Sequence, residues 1–147
     1  MSSSASIPGN GDRIALDTSV AIDVLAAKAD ARVLSDAGER LLPAPVVGEL
    51  RYGALNSRKA SENLAKIDAL VTRCVVLNVT VATAEVYARL RLALKQKGKP
   101  IPENDLWIAA ICVEHHVPLA ASDAHFDAID DLTRWRPETR PSESDVP

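Results

Sequence analysis

Four acidic residues, Asp17, Glu49, Asp105 and Asp123, stand where a carboxylate can do chemistry. Asp17 follows the short apolar run at residues 14–16, and Asp123 follows the run at 117–121. Glu49 lies one turn inside a helix that Pro45 can start. Asp105 falls in the first turn of a helix whose extended approach is set by Pro100 and Pro102. Ligand sites of open parallel sheets form in the crevice at the strands' carboxyl ends. Two acids at strand ends and two at helix starts can therefore converge on one edge.

Four carboxylates brought together repel unless a cation neutralises them. With neither Cys nor a His pair at zinc-like spacing, an all-oxygen donor set suits a hard ion, Mg²⁺ or Mn²⁺. A pair of such ions can activate water and stabilise the leaving oxygen of a phosphodiester during in-line displacement, so metal-dependent phosphodiester hydrolysis is the natural chemistry. Each acid also has a plain structural reading. Asp17 and Asp123 can cap the helix that follows, Glu49 can be a surface residue, and Asp105 can complement a helix dipole for roughly 0.3–1 kcal/mol.

The elements that must position these acids alternate along the chain. Residues 14–16 form a strand, a turn follows at Asp17, and Val20, Ile22, Val24 and Leu25 have helical spacing. A short helix is predicted over 29–36, stopping at Gly38, then a strand over 40–43, and helices from Pro45 to about 56 and over 60–72. Residues 74–79, with three valines, form a strand. Thr80 or Thr83 caps a long helix with a Val86, Leu90, Leu94 stripe that Gly98 ends. Another helix runs from 103 or 104 to about 115. A strand over 117–121, a short helix over 124–129 and a strand over 132–135 complete the domain. This order predicts an α/β fold: three layers, α/β/α, with helices on both faces of a mainly parallel central sheet of four or five short strands.

At 147 residues the chain fits one domain, placed at 13–135 between a Ser- and Gly-rich tail over 1–12, expected to be disordered, and a loose proline-containing tail over 136–147. Hydrophobic content of 47% with two tryptophans, two tyrosines and one phenylalanine calls for an aliphatic core, in which Trp107 and Trp135 are expected to pack. Cys74 and Cys112 lie in apolar segments and read as buried reduced thiols, which fits a cytoplasmic setting. No apolar run approaches the roughly 20 residues of a membrane span, and residues 1–13 lack the basic and apolar regions of a signal peptide.

A net charge of −3 argues against binding nucleic acid by overall basicity. Two basic stretches, Arg51 to Lys66 and Arg89 to Lys99, can flank an acidic centre or can be solvated helix faces. His125, near Asp123, is a lesser candidate for a phosphate contact. His115 and His116 suit a helix C-terminus.

The motifs LDTSVAIDVL around Asp17, VVGELRYGA around Glu49, IPENDLWIAA around Asp105 and ASDAHFDAI around Asp123 resemble those of PIN-domain ribonucleases, specifically the VapC toxins of VapBC toxin-antitoxin modules. The resemblance covers about residues 13–135. It implies that the four acids bind Mg²⁺ or Mn²⁺ and cut RNA, in a homodimer restrained by a cognate VapB-type antitoxin. Thr18, Ser19 and Asn104 would support the acids, and Arg51 and Arg58 would meet RNA phosphate or antitoxin acids. One departure is visible. The family's fourth motif usually reads Thr, any residue, Asp, whereas this chain has Ala121, Ser122 and Asp123. A hydroxyl is missing, which makes Asp123 the weakest of the four ligands. A different class of function, a PIN-like module that binds RNA or protein without cutting, is opposed by the intact set of acids. A receiver-type phosphoacceptor lacks its adjacent acidic pair here. The sugar-phosphatase pattern fails because Ser19 stands where its second Asp would be.

Overall fold

The computed structural model describes residues 13–27 and 38–136, so the helix expected over 29–36 and most of both tails lie outside the described residues. The elements are β1 (Arg13–Leu16), α1 (Thr18–Leu25), β2 (Glu39–Pro43), α2 (Ala44–Leu55), α3 (Ala60–Thr72), β3 (Val75–Leu77), α4 (Val81–Lys97), α5 (Glu103–His115), β4 (Leu119–Ala120), a 3₁₀ turn (Ala124–Ala128) and β5 (Arg134–Trp135). The five strands form one sheet in the order β3-β2-β1-β4-β5, and every pairing is parallel.

That order runs outward from β1 in one direction, then returns to β1 and runs outward in the other. Right-handed crossovers then place α1 to α3 on one face and α4 and α5 on the opposite face. Packing largely follows the same division, with α1, α2 and α3 touching one another and α4 touching α5, while α2 also meets α5. The reversal falls between β1 and β4. Their carboxyl ends therefore border the crevice where such folds take ligands, and the Asp17 amide donates to the Ala120 carbonyl at 3.0 Å, joining the two ends.

The core is aliphatic, as composition requires: Ile14, Leu16, Leu41, Leu42, Ile108, Ile111 and Leu119 are fully buried, with Phe126 the largest side chain among them. α5 is buried over most of its circumference through Leu106, Ile108, Ala109, Ala110, Ile111 and Cys112. Trp107 departs from the core-packing expectation. It is half-buried and stacks on Tyr87 of α4, ring centroids 3.9 Å apart and planes 13° from parallel. Trp135 is half-buried against the core. Cys112 is fully buried but Cys74 only partly so, and both are free thiols. Among the described residues no helix is long and apolar enough to cross a membrane.

The β3, β4 and β5 ladders are shorter than the apolar runs that announce them. Val117 is buried without being paired in β4, because its amide instead closes the end of α5 on the Cys112 carbonyl. His116 takes the left-handed conformation there, φ 53°. Gly98 ends α4 at φ 70°, a conformation favouring glycine.

α4 is tied to α5 by a polar contact at the far end of the sheet from the crevice. Thr80 and Thr83 form a reciprocal capping box at the start of α4, and the fully buried Thr83 hydroxyl donates to Glu114 Oε1 at 2.5 Å. Thr83→Val is isosteric but leaves the Glu114 carboxylate without that donor. It is expected to lower stability by about 1–3 kcal/mol in urea denaturation, whereas exposed Thr72→Val should change it by less than about 0.5 kcal/mol.

Candidate active site

Asp17 occupies the residue between β1 and α1, only 7% exposed. It stands at the N-cap position of α1, yet its side chain makes no capping hydrogen bond. The plain capping reading therefore does not account for this buried acid. Burial is the main cause that pushes its carboxyl up to about 6, with further upward contributions from the charges of Asp105 and Glu49. The Thr18 amide and the Ser19 hydroxyl, 3.4 Å from Oδ2, act in the opposite direction. The Thr18 hydroxyl is buried without a partner among the described residues.

Asp105 and Glu49 reach Asp17 from the starts of two helices. Pro102 caps α5 through its backbone geometry and makes no side-chain bond, so Asn104 does not serve as a cap. Its amide donates to Glu49 Oε1 instead, joining the exposed rim of α2 to the start of α5. Asp105 sits in the first turn of α5, where the helix dipole favours a negative charge.

Asp123 joins the cluster indirectly. It caps the 3₁₀ turn by accepting from the His125 amide at 3.0 Å, as the plain reading of this residue anticipates. The His125 ring lies between two acids, with Nε2 2.5 Å from Asp105 Oδ2 and Nδ1 2.9 Å from Asp123 Oδ1. Three of the four predicted acids are thus electrostatic neighbours, and the fourth is connected to them through a histidine that sequence reasoning ranked low.

The loop bearing Asp123 has supports with no local sequence signal. Arg134, its side chain 11% exposed, donates from Nε to the Ala121 carbonyl at 3.2 Å and from Nη2 to the Ser122 carbonyl at 3.3 Å, and also pairs with Asp127. Arg136 adds a 3.0 Å bond to the same Ser122 carbonyl. These guanidinium contacts hold the segment in which Ala121 lacks the hydroxyl of related motifs. Arg134→Ala is expected to cost about 2 kcal/mol, since bonds from a charged donor contribute roughly 1.5–3 kcal/mol. Guanidinium denaturation would measure it, and a cost no larger than that of the exposed Arg58→Ala would show that the clamp contributes nothing.

Arg51 does not face the acids freely: it pairs with Asp68 at 2.7 Å across α2 and α3, with both side chains exposed. Arg58 is exposed in the turn between those helices. Lys97 is likewise engaged, with Asp130 and the Ala128 carbonyl. Beside Glu49, a groove of about 430 Å³ opens between α1, α2 and α3, lined by Ile22, Leu25, Leu50, Ala54 and Ile67 among others. Ile22, at 52% exposure, leaves an apolar surface there.

Chemically, the donor set fits a hard divalent cation. Asp17, Glu49 and Asp105 supply carboxylate oxygens whose mutual repulsion an ion would relieve, and the orphaned Thr18 hydroxyl and the Asn104 carbonyl are oxygen donors nearby in sequence. Among the described residues, however, no three acidic, histidine or cysteine side chains are gathered as a ready ion-binding group. Asn104 and His125 engage the very carboxylates concerned, so ion binding calls for these hydrogen bonds to be exchanged.

A doubly wound parallel sheet with acids at its switch point defines the class, and residues 14–132 match the PIN domain, so the chain belongs to the PIN-domain family. Within it, the chain is similar to Ribonuclease VapC2 of Haemophilus influenzae, 32% identical over 99 residues, which is 65% of this chain and 74% of that protein. It is also 32% identical to Ribonuclease VapC2 of Rickettsia felis over 78 residues, 53% of this chain but only 58% of that relative's length. Among solved structures, VapBC-5 from Mycobacterium tuberculosis, a member of the VapBC family of toxin-antitoxin systems, superposes with a TM-score of 0.70 at 27% identity, covering 85% of this chain and 98% of that one.

Proposed function

We infer that this protein is a VapC-type toxin, a metal-dependent endoribonuclease that hydrolyses RNA phosphodiester bonds and is inhibited by a cognate VapB-type antitoxin. One observation carries the reading: a buried aspartate at the sheet's switch point, pushed up to about 6 by burial and by Asp105 and Glu49. Burial of Asp17 beside Asp105 and Glu49 makes its charged form costly in the metal-free crevice, a cost that a positive ligand would offset. Likeness to proteins named Ribonuclease VapC supports RNA as the substrate.

Asp17, Glu49 and Asp105 would hold Mg²⁺ or Mn²⁺, with Asp123 contributing through the His125 side of the site. The ion, when bound, supplies Lewis-acid activation of water and stabilisation of charge on the leaving oxygen. The chain's own part is positional. The start of α5 directs Asp105 into the crevice, Asn104 fixes Glu49, and Ser19 orients Asp17. Exposed Arg58, and Arg51 once released from Asp68, would draw RNA phosphate or antitoxin acids to the rim, since a surface pair of this kind is held by no more than about 1 kcal/mol. Solved VapBC complexes and the apolar groove beside Glu49 support a protein partner, and a homodimer is the expected assembly.

The decisive experiment incubates the purified chain with structured RNAs and Mg²⁺ or Mn²⁺, beside an EDTA control. Cleavage confined to the metal-containing reaction is expected. Equal cleavage with EDTA would refute the metal mechanism, and no cleavage of tRNA, rRNA or mRNA would favour the non-catalytic module. Growth arrest on expression, relieved by co-expression of a small neighbouring reading frame, tests the toxin and antitoxin roles separately.

A further inference from the structure

The carboxyl edge of the sheet carries a guanidinium with no acidic partner among the described residues. Leu16 pairs with Ala120 across β1 and β4, and Ala120 pairs with Trp135 across β4 and β5. One residue further on, Asp17, Ala121 and Arg136 stand level on three adjacent strands. The amides of Asp17 and Ala121 carry both ladders to that level, donating at 3.0 Å to the carbonyls of Ala120 and Trp135 respectively. With neighbouring strands about 4.8 Å apart, the backbone of Arg136 lies about 10 Å from that of Asp17, on the β5 side of the crevice. Arg136 Nη2 donates to the carbonyl of Ser122 at 3.0 Å, and Ser122 immediately precedes Asp123. The guanidinium is therefore held against the loop that borders the crevice.

The acids nearest to it in the chain are engaged elsewhere: Asp127 with Arg134, and Asp123 with the His125 ring. Arg136 is exposed, and its bond to Ser122 leaves the other guanidinium donors without an acceptor among the described residues. Arg51 and Arg91, in contrast, face Asp68 and Glu103. A crevice lined by carboxylates repels an RNA backbone, so a cation fixed at its rim is what lets the strand approach. The planar fork of a guanidinium matches the oxygens of a phosphate. We propose that Arg136 is a substrate-binding residue that holds a backbone phosphate of the RNA on the β5 side of the crevice. This rests on the ribonuclease reading above. Its anchor on Ser122 orients the guanidinium in advance, whereas Arg51 must first leave Asp68. Phosphate contacts fix the register of a strand without reading its bases, so Arg136 contributes affinity and alignment to every sequence alike.

A phosphate contact has a signature that a purely structural role lacks, the salt dependence of binding. Each contact contributes about 0.7 to the slope of log K against log salt for a single strand. Binding of a short labelled single-stranded RNA is followed by fluorescence anisotropy in Mg²⁺, from about 50 to about 200 mM salt. The full-length chain carries Asp105→Asn to suppress cleavage, alone and combined with Arg136→Gln, Arg136→Lys or Arg89→Gln, and circular dichroism confirms that each is folded. Arg89 is the control, exposed beside Val117 and Thr133 at the amino edge of the sheet. Arg136→Gln is expected to lower the slope by about 0.7, weakening binding about eightfold at about 50 mM salt and about threefold at about 200 mM. Arg136→Lys keeps the charge and should keep the slope, and Arg89→Gln should shift it by less than about 0.2.

An unchanged slope in Arg136→Gln would overturn the inference, leaving Arg136 as a clamp on Ser122 alone. An equal fall in Arg89→Gln would overturn it too, since overall charge would then account for the effect, and so would an equal fall in Arg136→Lys, which retains the charge. No RNA binding by the Asp105→Asn chain or by the metal-free wild type would be a different failure, refuting the ribonuclease reading together with the contact built on it.

Discussion

Asp105→Asn is expected to reduce metal-dependent RNA cleavage by about a hundred-fold or more with the fold intact. The size follows from the residue's position. Side chains that merely support a metal's ligands typically cost 10–100-fold in affinity or activity when removed, and Asp105 is proposed as a ligand itself. Asn is nearly isosteric, keeps one oxygen and keeps a contact for His125, but it removes the charge that the ion requires. The loss of charge also relieves Asp17, whose carboxyl Asp105 helps to raise. The variant should therefore bind Mn²⁺ weakly yet unfold at no lower denaturant concentration than the wild type. Cleavage assays at saturating RNA, with unfolding followed by circular dichroism, check both halves. Retention of more than a tenth of the wild-type rate would remove Asp105 from the site, while loss of fold would assign it a structural role.

The prolines made this acid legible in the sequence. Pro100 and Pro102 exclude helix before residue 103, and α5 begins at Glu103. Asp17 was equally legible, since a strand end followed by helical spacing leaves few other conformations. Helix ends marked by Gly98, Pro45 and the Thr80 and Thr83 pair were likewise local signals. Strand lengths were not. Val117 and Ala121 are apolar because they are buried, and burial here comes from the helices above the sheet as much as from ladder pairing.

The fourth acid shows where local reading ends. Ala121, Ser122 and Asp123 announce a missing hydroxyl, but nothing nearby shows what replaces it. The answer lies 12 and 13 residues away, in Arg134 donating to the Ser122 and Ala121 carbonyls, a contact that exists only after β5 has paired with β4. His125 is similar. Its proximity to Asp123 was visible, but its contact with Asp105, 20 residues distant, depends on the 3₁₀ turn and the start of α5 facing each other. Asn104 bonds Glu49, a contact between residues 55 apart in sequence, while Pro102 occupies the N-cap position of α5.

The cost of burying this carboxylate beside Asp105 and Glu49 should be measurable in the absence of metal through Asp17→Asn. Asp17 has an ordinary carboxyl value of 3.8 when unfolded and about 6 when folded. Between these values the folded chain binds more protons than the unfolded one, so Asp17's contribution is fully favourable below about pH 4 and is lost as pH rises through about 6. At 1.36 kcal/mol per unit, ionisation of this one group costs on the order of 3 kcal/mol above pH 7. An asparagine cannot ionise and escapes that loss. Urea denaturation of EDTA-treated wild type and Asp17→Asn at pH 4.5, where about 1 kcal/mol of the contribution is already lost, and at pH 8 should therefore show the difference between them shifting by about 2 kcal/mol in the variant's favour at the higher pH. Comparing differences cancels the titration of every group that the substitution does not touch. Millimolar Mg²⁺ should then restore stability to the wild type at pH 8 and leave the variant unchanged, because only a site with its charge intact gains from the ion. Parallel pH profiles would mean that burial and the neighbouring acids do not disfavour the charged form of Asp17, and the principal support for a cation in the crevice would fall with it.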